Sequence, residues 1–244
     1  MRSLVIVPCT AKKRDTVLQP ARAADLMDAS LRQQTEERLA AFGRPAIEMY
    51  TGTHYRLVRE GLQQVWDKWG RACLDMAILS AGYGLLQPDQ EIIPYDVSFD
   101  ELDAATFTQW VAELRVPEKA AQLVGEADLA IFLLDGRYLT ALNLPLDLPT
   151  AVPQIVLTDQ ESLHLLPAAP NIYTVVAHGP IAARRWHVKS SHVRGFLFGR
   201  LCSQIANHGP VVLEWLAERP QDMERLFYKR TRWRPQYRLW PHLA

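Results

Sequence analysis

Short runs of strongly apolar residues, each ending on small or polar ones, recur along this chain. They fall at residues 4–7, 76–79, 129–134, 154–157 and 172–176. They are rich in Ile, Val and Leu and lack polar alternation, the pattern of strands buried on both faces of a sheet. Segments with helical spacing lie between them. Residues 21–41 are good helix formers, with Leu26, Met27, Leu31 and Leu39 as the apolar face. Residues 54–69 set Tyr55, Leu57, Val58, Leu62, Val65 and Trp66 near helical spacing. Residues 107–114 and 118–124 read as two helices parted by Pro117, and Pro145, Pro149 and Pro153 mark a connection at 142–153. From residue 191 onward the pattern is wholly helical. This alternation predicts an α/β fold: a mostly parallel central sheet flanked by helices, with a helical, basic C-terminal region. The expected division is an α/β core at 1–183 and a helical region at 184–244 packed on it.

Composition narrows the class. A chain of 244 residues with 48% hydrophobic content can bury a sizeable core. No apolar run approaches the roughly 18 residues that span a bilayer, and Met1-Arg2-Ser3 leads into only four strongly apolar residues. Neither a signal peptide nor a membrane span is predicted. The three cysteines, Cys9, Cys73 and Cys202, fit neither a disulfide framework nor a zinc ribbon, so a cytoplasmic protein without metal or cofactor is expected. The net charge of zero hides an asymmetry. Residues 184–244 carry 12 Lys and Arg against 4 Asp and Glu, while residues 1–183 carry 15 against 23. Four of the seven tryptophans, Trp186, Trp215, Trp233 and Trp240, belong to the basic part. Such polarity suits a polyanionic partner, or a tail that packs on its own acidic body.

The chemistry-bearing residues gather where the strands run out. Leu4-Val5-Ile6-Val7 leads into Pro8-Cys9-Thr10-Ala11-Lys12-Lys13, and cations close to a thiol favour its thiolate. Taken alone, a strand-end cysteine is better explained by an inert buried thiol. The other strands end on Ser80-Ala81-Gly82-Tyr83-Gly84, on Asp135-Gly136-Arg137-Tyr138 and on Ala177-His178-Gly179-Pro180. In open α/β sheets ligands bind beyond the carboxyl ends of the strands, so these loops are expected to converge on one site. Met49-Tyr50-Thr51-Gly52-Thr53-His54 precedes a helix that Thr51 or Thr53 could cap, leaving N–H groups to face an anion. Glu91-Ile92-Ile93-Pro94-Tyr95-Asp96 sets two carboxylates around a proline-fixed turn, and Asp96 is the better candidate for a general base. His54 and His178 read as hydrogen-bonded loop residues and not as ligands.

Three of these segments, in order, resemble a bacterial and phage family. They are residues 7–13, then Met49-Tyr50-Thr51-Gly52, then Ile78-Leu79-Ser80-Ala81-Gly82-Tyr83-Gly84-Leu85-Leu86 running on to Ile93-Pro94-Tyr95-Asp96. That family is similar to the YaaA-type peroxide-stress proteins and to the catalytic core of archaeosine synthase. The resemblance covers roughly residues 5–100, and residues 78–86 are its most specific part. The archaeosine synthase core has a Pro-Cys motif with a lysine four residues beyond, a spacing met here by Pro8, Cys9 and Lys13. Its following Pro-Tyr is replaced by Arg14-Asp15. The resemblance implies chemistry on the nitrile of 7-cyano-7-deazaguanine. Its DNA counterpart is the DpdC-type protein of the bacterial 7-deazaguanine DNA-modification system, a defence-related setting in which association with other DNA-modification proteins is implied.

A nitrile carbon is electrophilic, and the parts needed to hydrate it are a nucleophile, a proton donor and a base for water. The expected roles are Cys9 as nucleophile, Lys13 or Lys12 as the cation that favours its thiolate or donates a proton, and Asp96 as the base. Ser80 and Tyr83 would orient the substrate base, Tyr50 would stack on it, and Lys12, Thr51 and Asp135 would complete the substrate pocket. Lys189, Arg194, Arg200, Lys229, Arg230, Arg232 and Arg234 would contact DNA, with cations on phosphates and aromatics on exposed bases. Reaching a base inside a duplex would require flipping it out. Two other readings stand beside this one: a non-catalytic YaaA-like DNA-binding protein of stress or defence, and an enzyme on a free nucleobase or nucleotide whose basic tail serves oligomerisation.

Overall fold

The computed structural model describes residues 1–227, so Lys229, Arg230, Arg232 and Arg234 lie outside the described residues. The chain opens with β1 (Ser3–Pro8), β2 (Ala21–Arg22), α1 (Ala23–Met27), α2 (Ala29–Leu39), β3 (Arg44–Pro45), α3 (Ala46–Met49) and α4 (Thr53–Trp69). It continues with β4 (Leu74–Ser80), β5 (Gly84–Leu86), β6 (Glu91–Ile92), β7 (Tyr95–Asp96), α5 (Ala104–Glu113) and α6 (Val116–Gly125). Then come β8 (Leu129–Phe132), α7 (Gly136–Leu142), β9 (Gln154–Thr158), β10 (Ile172–Val176), α8 (Pro180–Trp186), α9 (Val193–His208) and α10 (Val211–Glu218).

Six strands form the central sheet in the order β10-β9-β8-β1-β4-β5. Every pairing is parallel except β4 with the short edge strand β5. The five apolar runs of the sequence are the five parallel strands. β1 is paired on both sides, Val5 with Met76 of β4 and with Ile131 of β8, and all six of its residues are buried. A strand with both edges and both faces covered must be apolar throughout, which explains why Leu4 to Val7 shows no alternation. β5 does not stand out in the pattern because three residues are too few to show a period.

The connections leave β1 and β8 in opposite directions. From β1 the chain passes through α4 to β4 on one side, and from β8 it passes through α7 to β9 on the other. The crevice beyond the carboxyl ends of β1 and β8 is therefore the switch point of the sheet. Two short ladders lie outside the sheet: β2 runs parallel to β7, pairing Ala21 with Tyr95, and β3 runs antiparallel to β6.

The helix expected over 21–41 is broken in two. Asp28 is extended, and its Oδ1 accepts from the N–H groups of Ser30 and Leu31, each at 2.9 Å, so a new helix starts there. The break turns Leu31 outward while Leu26 and Leu39 stay buried. Pro117, expected between two helices, lies in the first turn of α6, where a missing N–H costs nothing. Residues 193–227 supply Val193, Leu197, Phe198, Leu201, Met223 and Phe227 to the same hydrophobic core as the sheet.

α9 lies along α4 at close range. A β-carbon at Gly195 would stand 2.7 Å from the carbonyl oxygen of His54, whereas one at Gly199 would meet nothing nearer than Leu57 O at 3.7 Å. Gly195→Ala is expected to force the two helices apart and cost about 1–3 kcal/mol. Gly199→Ala should leave stability nearly unchanged. Urea unfolding of the two variants checks the contrast.

Candidate functional site

Cys9 is the first residue beyond β1, and its N–H donates to Leu79 O of β4 at 2.9 Å. Its backbone is thereby pinned at the carboxyl edge of the sheet. The segment that follows is clamped onto residues 49–51: Arg14 N–H donates to Met49 O at 2.8 Å, Thr51 N–H donates to Lys12 O at 3.1 Å, and Lys13 bridges Tyr50. From the other strand end, the hydroxyl of Tyr138 in the first turn of α7 stands 3.1 Å from Cys9 Sγ. The thiol is 8% exposed, at the switch point between β1 and β8.

A layer of tyrosines surrounds it. Tyr50 and Tyr95 share a hydrogen bond of 2.8 Å between their hydroxyls, and Tyr95 makes another of 2.8 Å with Ser80 Oγ. Ser80 Oγ also accepts from the N–H groups of Gly82 and Tyr83 at 3.2 and 3.1 Å, which turns the chain out of β4. Burial foremost, and the Cys9 thiol next, push the phenols of Tyr50 and Tyr95 well above their ordinary range. Tyr55 and Tyr83 are raised by burial as well. These phenols keep their protons at neutral pH.

Beside this layer lies a cleft of about 370 Å³, of a size for a small ligand. Lys12, Lys13, Asp15, Thr51, Tyr95 and Asp96 are among its walls. The Lys13 ammonium stands 4.1 Å over the ring centre of Tyr95, a cation–π contact. Burial lowers its pKa, while Cys9, then Asp96 and Glu101, hold its charge. Lys13 thus links the thiol to the cleft. Among the described residues, no group of three or more His, Cys, Asp or Glu is placed to hold a metal ion.

The structure sorts the expected residues into two sets. Lys12, Lys13, Thr51 and Asp96 line one cleft, and Cys9, which is not among its walls, lies within electrostatic reach of Lys13. Several others serve the frame. Tyr50 is 1% exposed and edge-on to Tyr55, so it cannot stack on a base. Ser80 is fully buried and its oxygen is occupied by the turn and by Tyr95. Tyr83 packs on Tyr95 and under Arg32, away from the cleft walls. Asp135 is ion-paired with Arg194, which is buried and also donates to Leu133 O at 3.4 Å. Arg194 therefore has no free face for a phosphate. Arg200 donates to Phe227 O and lies over the Phe196 ring, and only Lys189 of the described nucleic-acid candidates is exposed.

The cap of α4 also differs from expectation. Gly52 is the N-cap, no side chain caps the helix, and Thr51 Oγ1 donates to Lys13 O at 3.4 Å instead. A β-carbon at Gly52 would stand only 3.0 Å from Thr10 Cγ2, so glycine lets the two loops lie close without the Thr10 side chain giving way. Tyr95 and Tyr138 have no role that the sequence alone assigns, because a tyrosine at a loop or helix start is unremarkable until its neighbour is known.

The chain belongs to a family of unknown function, DUF6884, whose match covers residues 32–160. That span includes Tyr50, Thr51, Tyr95, Asp96 and Tyr138, while Cys9 and Lys13 precede it. No curated protein matches the chain.

His54, expected to be hydrogen-bonded, is half-buried, with both ring nitrogens buried and unpartnered. Burial foremost, then the charges of Arg194, His192 and His178, depress its pKa from 6.5 to about 3. The unfolded chain takes up this proton near 6.5 and the folded one does not until about 3, so stability is full above 6.5 and lost as pH falls toward 3. The loss runs at about 1.4 kcal/mol per pH unit. In urea unfolding between pH 7 and 4, His54→Gln should be less acid-sensitive than wild type by up to about 3 kcal/mol.

Proposed function

We propose that this protein is a cysteine-dependent enzyme that hydrates the nitrile of 7-cyano-7-deazaguanine in DNA to the amide. The observation that carries the reading is the place of Cys9: a thiol at the switch-point crevice, coupled through Lys13 to a cleft that Asp96 also lines. The resemblance of residues 5–100 to the archaeosine synthase core and the DpdC-type proteins supplies the substrate. A nitrile is a slender rod, suited to a thiol that is only 8% exposed.

The reaction balances with one water consumed. The thiolate lone pair forms an S–C bond to the nitrile carbon, one π pair moves to nitrogen, and nitrogen takes a proton to give a thioimidate. Asp96 accepts a proton from water as its oxygen adds to that carbon and returns the proton to nitrogen. Collapse of the adduct breaks the C–S bond, frees the amide and restores the cysteine. The Lys13 ammonium favours the thiolate, and Lys12 and Thr51 hold the substrate in the cleft. Such an enzyme works in the cytoplasm, where its DNA and a reducing environment for three free cysteines are found.

A second reading is favoured by the internal use of Arg194 and Arg200: the same chemistry on a free base or nucleotide. Incubation with oligonucleotides containing 7-cyano-7-deazaguanine, and separately with the free base, followed by mass spectrometry, separates the two. Amide within DNA is the expected result. Product from the free base alone selects the second reading, and salt-sensitive DNA binding with no product from either selects a non-catalytic DNA-binding protein. Cys9→Ala should form no amide, and Asp96→Asn should be about a hundredfold slower or worse.

A further inference from the structure

Two tyrosine hydroxyls meet the thiol, and that of Tyr95 is already bonded to Tyr50 and Ser80, while the mechanism above leaves the first proton to nitrogen without a donor. Tyr138 OH stands 3.1 Å from Cys9 Sγ. Its ring meets Phe99 edge-on, 5.2 Å between centroids, and its N–H donates to Asp135 O at 3.0 Å. Arg137, beside it, donates to Phe99 O at 2.9 Å and to Leu102 O at 2.6 Å. The phenol is thus held by its ring, its backbone and its neighbour, with its oxygen at the thiol. Burial foremost, then the nearby Cys9, keeps it protonated far above neutral pH. A phenol that keeps its proton donates to an anion beside it.

We propose that Tyr138 donates a hydrogen bond to the Cys9 thiolate and then protonates the nitrile nitrogen as the S–C bond forms. The first half concerns the thiol alone, and the second rests on the nitrile reading. The nitrogen lies one atom beyond the carbon under attack, so the hydroxyl that meets sulfur is next to it when the bond forms. The O–H bond of Tyr138 breaks and an N–H bond forms, leaving a phenolate. When the C–S bond later breaks, the adduct's hydroxyl proton returns to that phenolate, and both side chains are restored.

The test needs no nitrile. Alkylation of Cys9 by iodoacetamide is followed across pH by peptide mass spectrometry, which separates it from Cys73 and Cys202. Tyr138→Phe keeps the ring that packs on Phe99 and removes only the hydroxyl. The expected result is a profile moved about one pH unit higher, with the rate at pH 7 down about tenfold. Tyr55→Phe, which removes a buried hydroxyl with no hydrogen-bond partner, should leave the profile in place. An unmoved profile in Tyr138→Phe, or one moved to lower pH, overturns the proposal. Amide formation by wild type with an unmoved profile would remove the role of Tyr138 and leave the nitrile reading intact. A moved profile without amide would keep the thiol contact and remove the protonation step together with the nitrile reading.

Discussion

The molecule depends on the double pairing of β1. A strand hydrogen-bonded on both edges and apolar on both faces can shift neither in register nor in height without breaking ladders on two sides. The register of Val5 against Met76 and against Ile131 sets where both neighbouring strands end. It thereby decides that Cys9 emerges beside the turn of α7. The thiol contact is a consequence of strand register, and the loops inherit their positions from it.

The strands are the most legible part of the sequence because burial on both faces leaves a run of Ile, Val and Leu that no loop would carry. The helices are legible in type but not in extent. Residues 21–41 have helical composition throughout, and only the acceptor geometry of Asp28 reveals two helices where one is expected. Cys9 and Lys13 can be placed in one site from sequence because their strand end is local in the chain. Tyr138 cannot, since its approach to sulfur depends on a neighbour 129 residues away. Tyr50, Ser80 and Tyr83 are site-forming in another sense: they hold Tyr95 and the turn after β4, and a sequence does not say whether a polar side chain faces a ligand or a neighbouring tyrosine.

The charge asymmetry along the chain takes another form in three dimensions. Arg194 meets Asp135, Arg185 meets Glu224, and Arg225 meets Asp222, so these three cations of the basic region pair within the fold, while Lys189 is exposed. A buried pair such as Arg194–Asp135 adds little net stability, but losing one member strands the other. What it supplies is a fixed link between the start of α9 and the start of α7.

Arg137 is also a mechanical part. By gripping the carbonyls of Phe99 and Leu102, it joins the helix that carries Tyr138 to the stretch of chain that follows Asp96. Tyr95 and Asp96, just upstream of that stretch, form one wall of the cleft. One guanidinium therefore ties the chain behind the cleft wall to the helix that sets the phenol at sulfur.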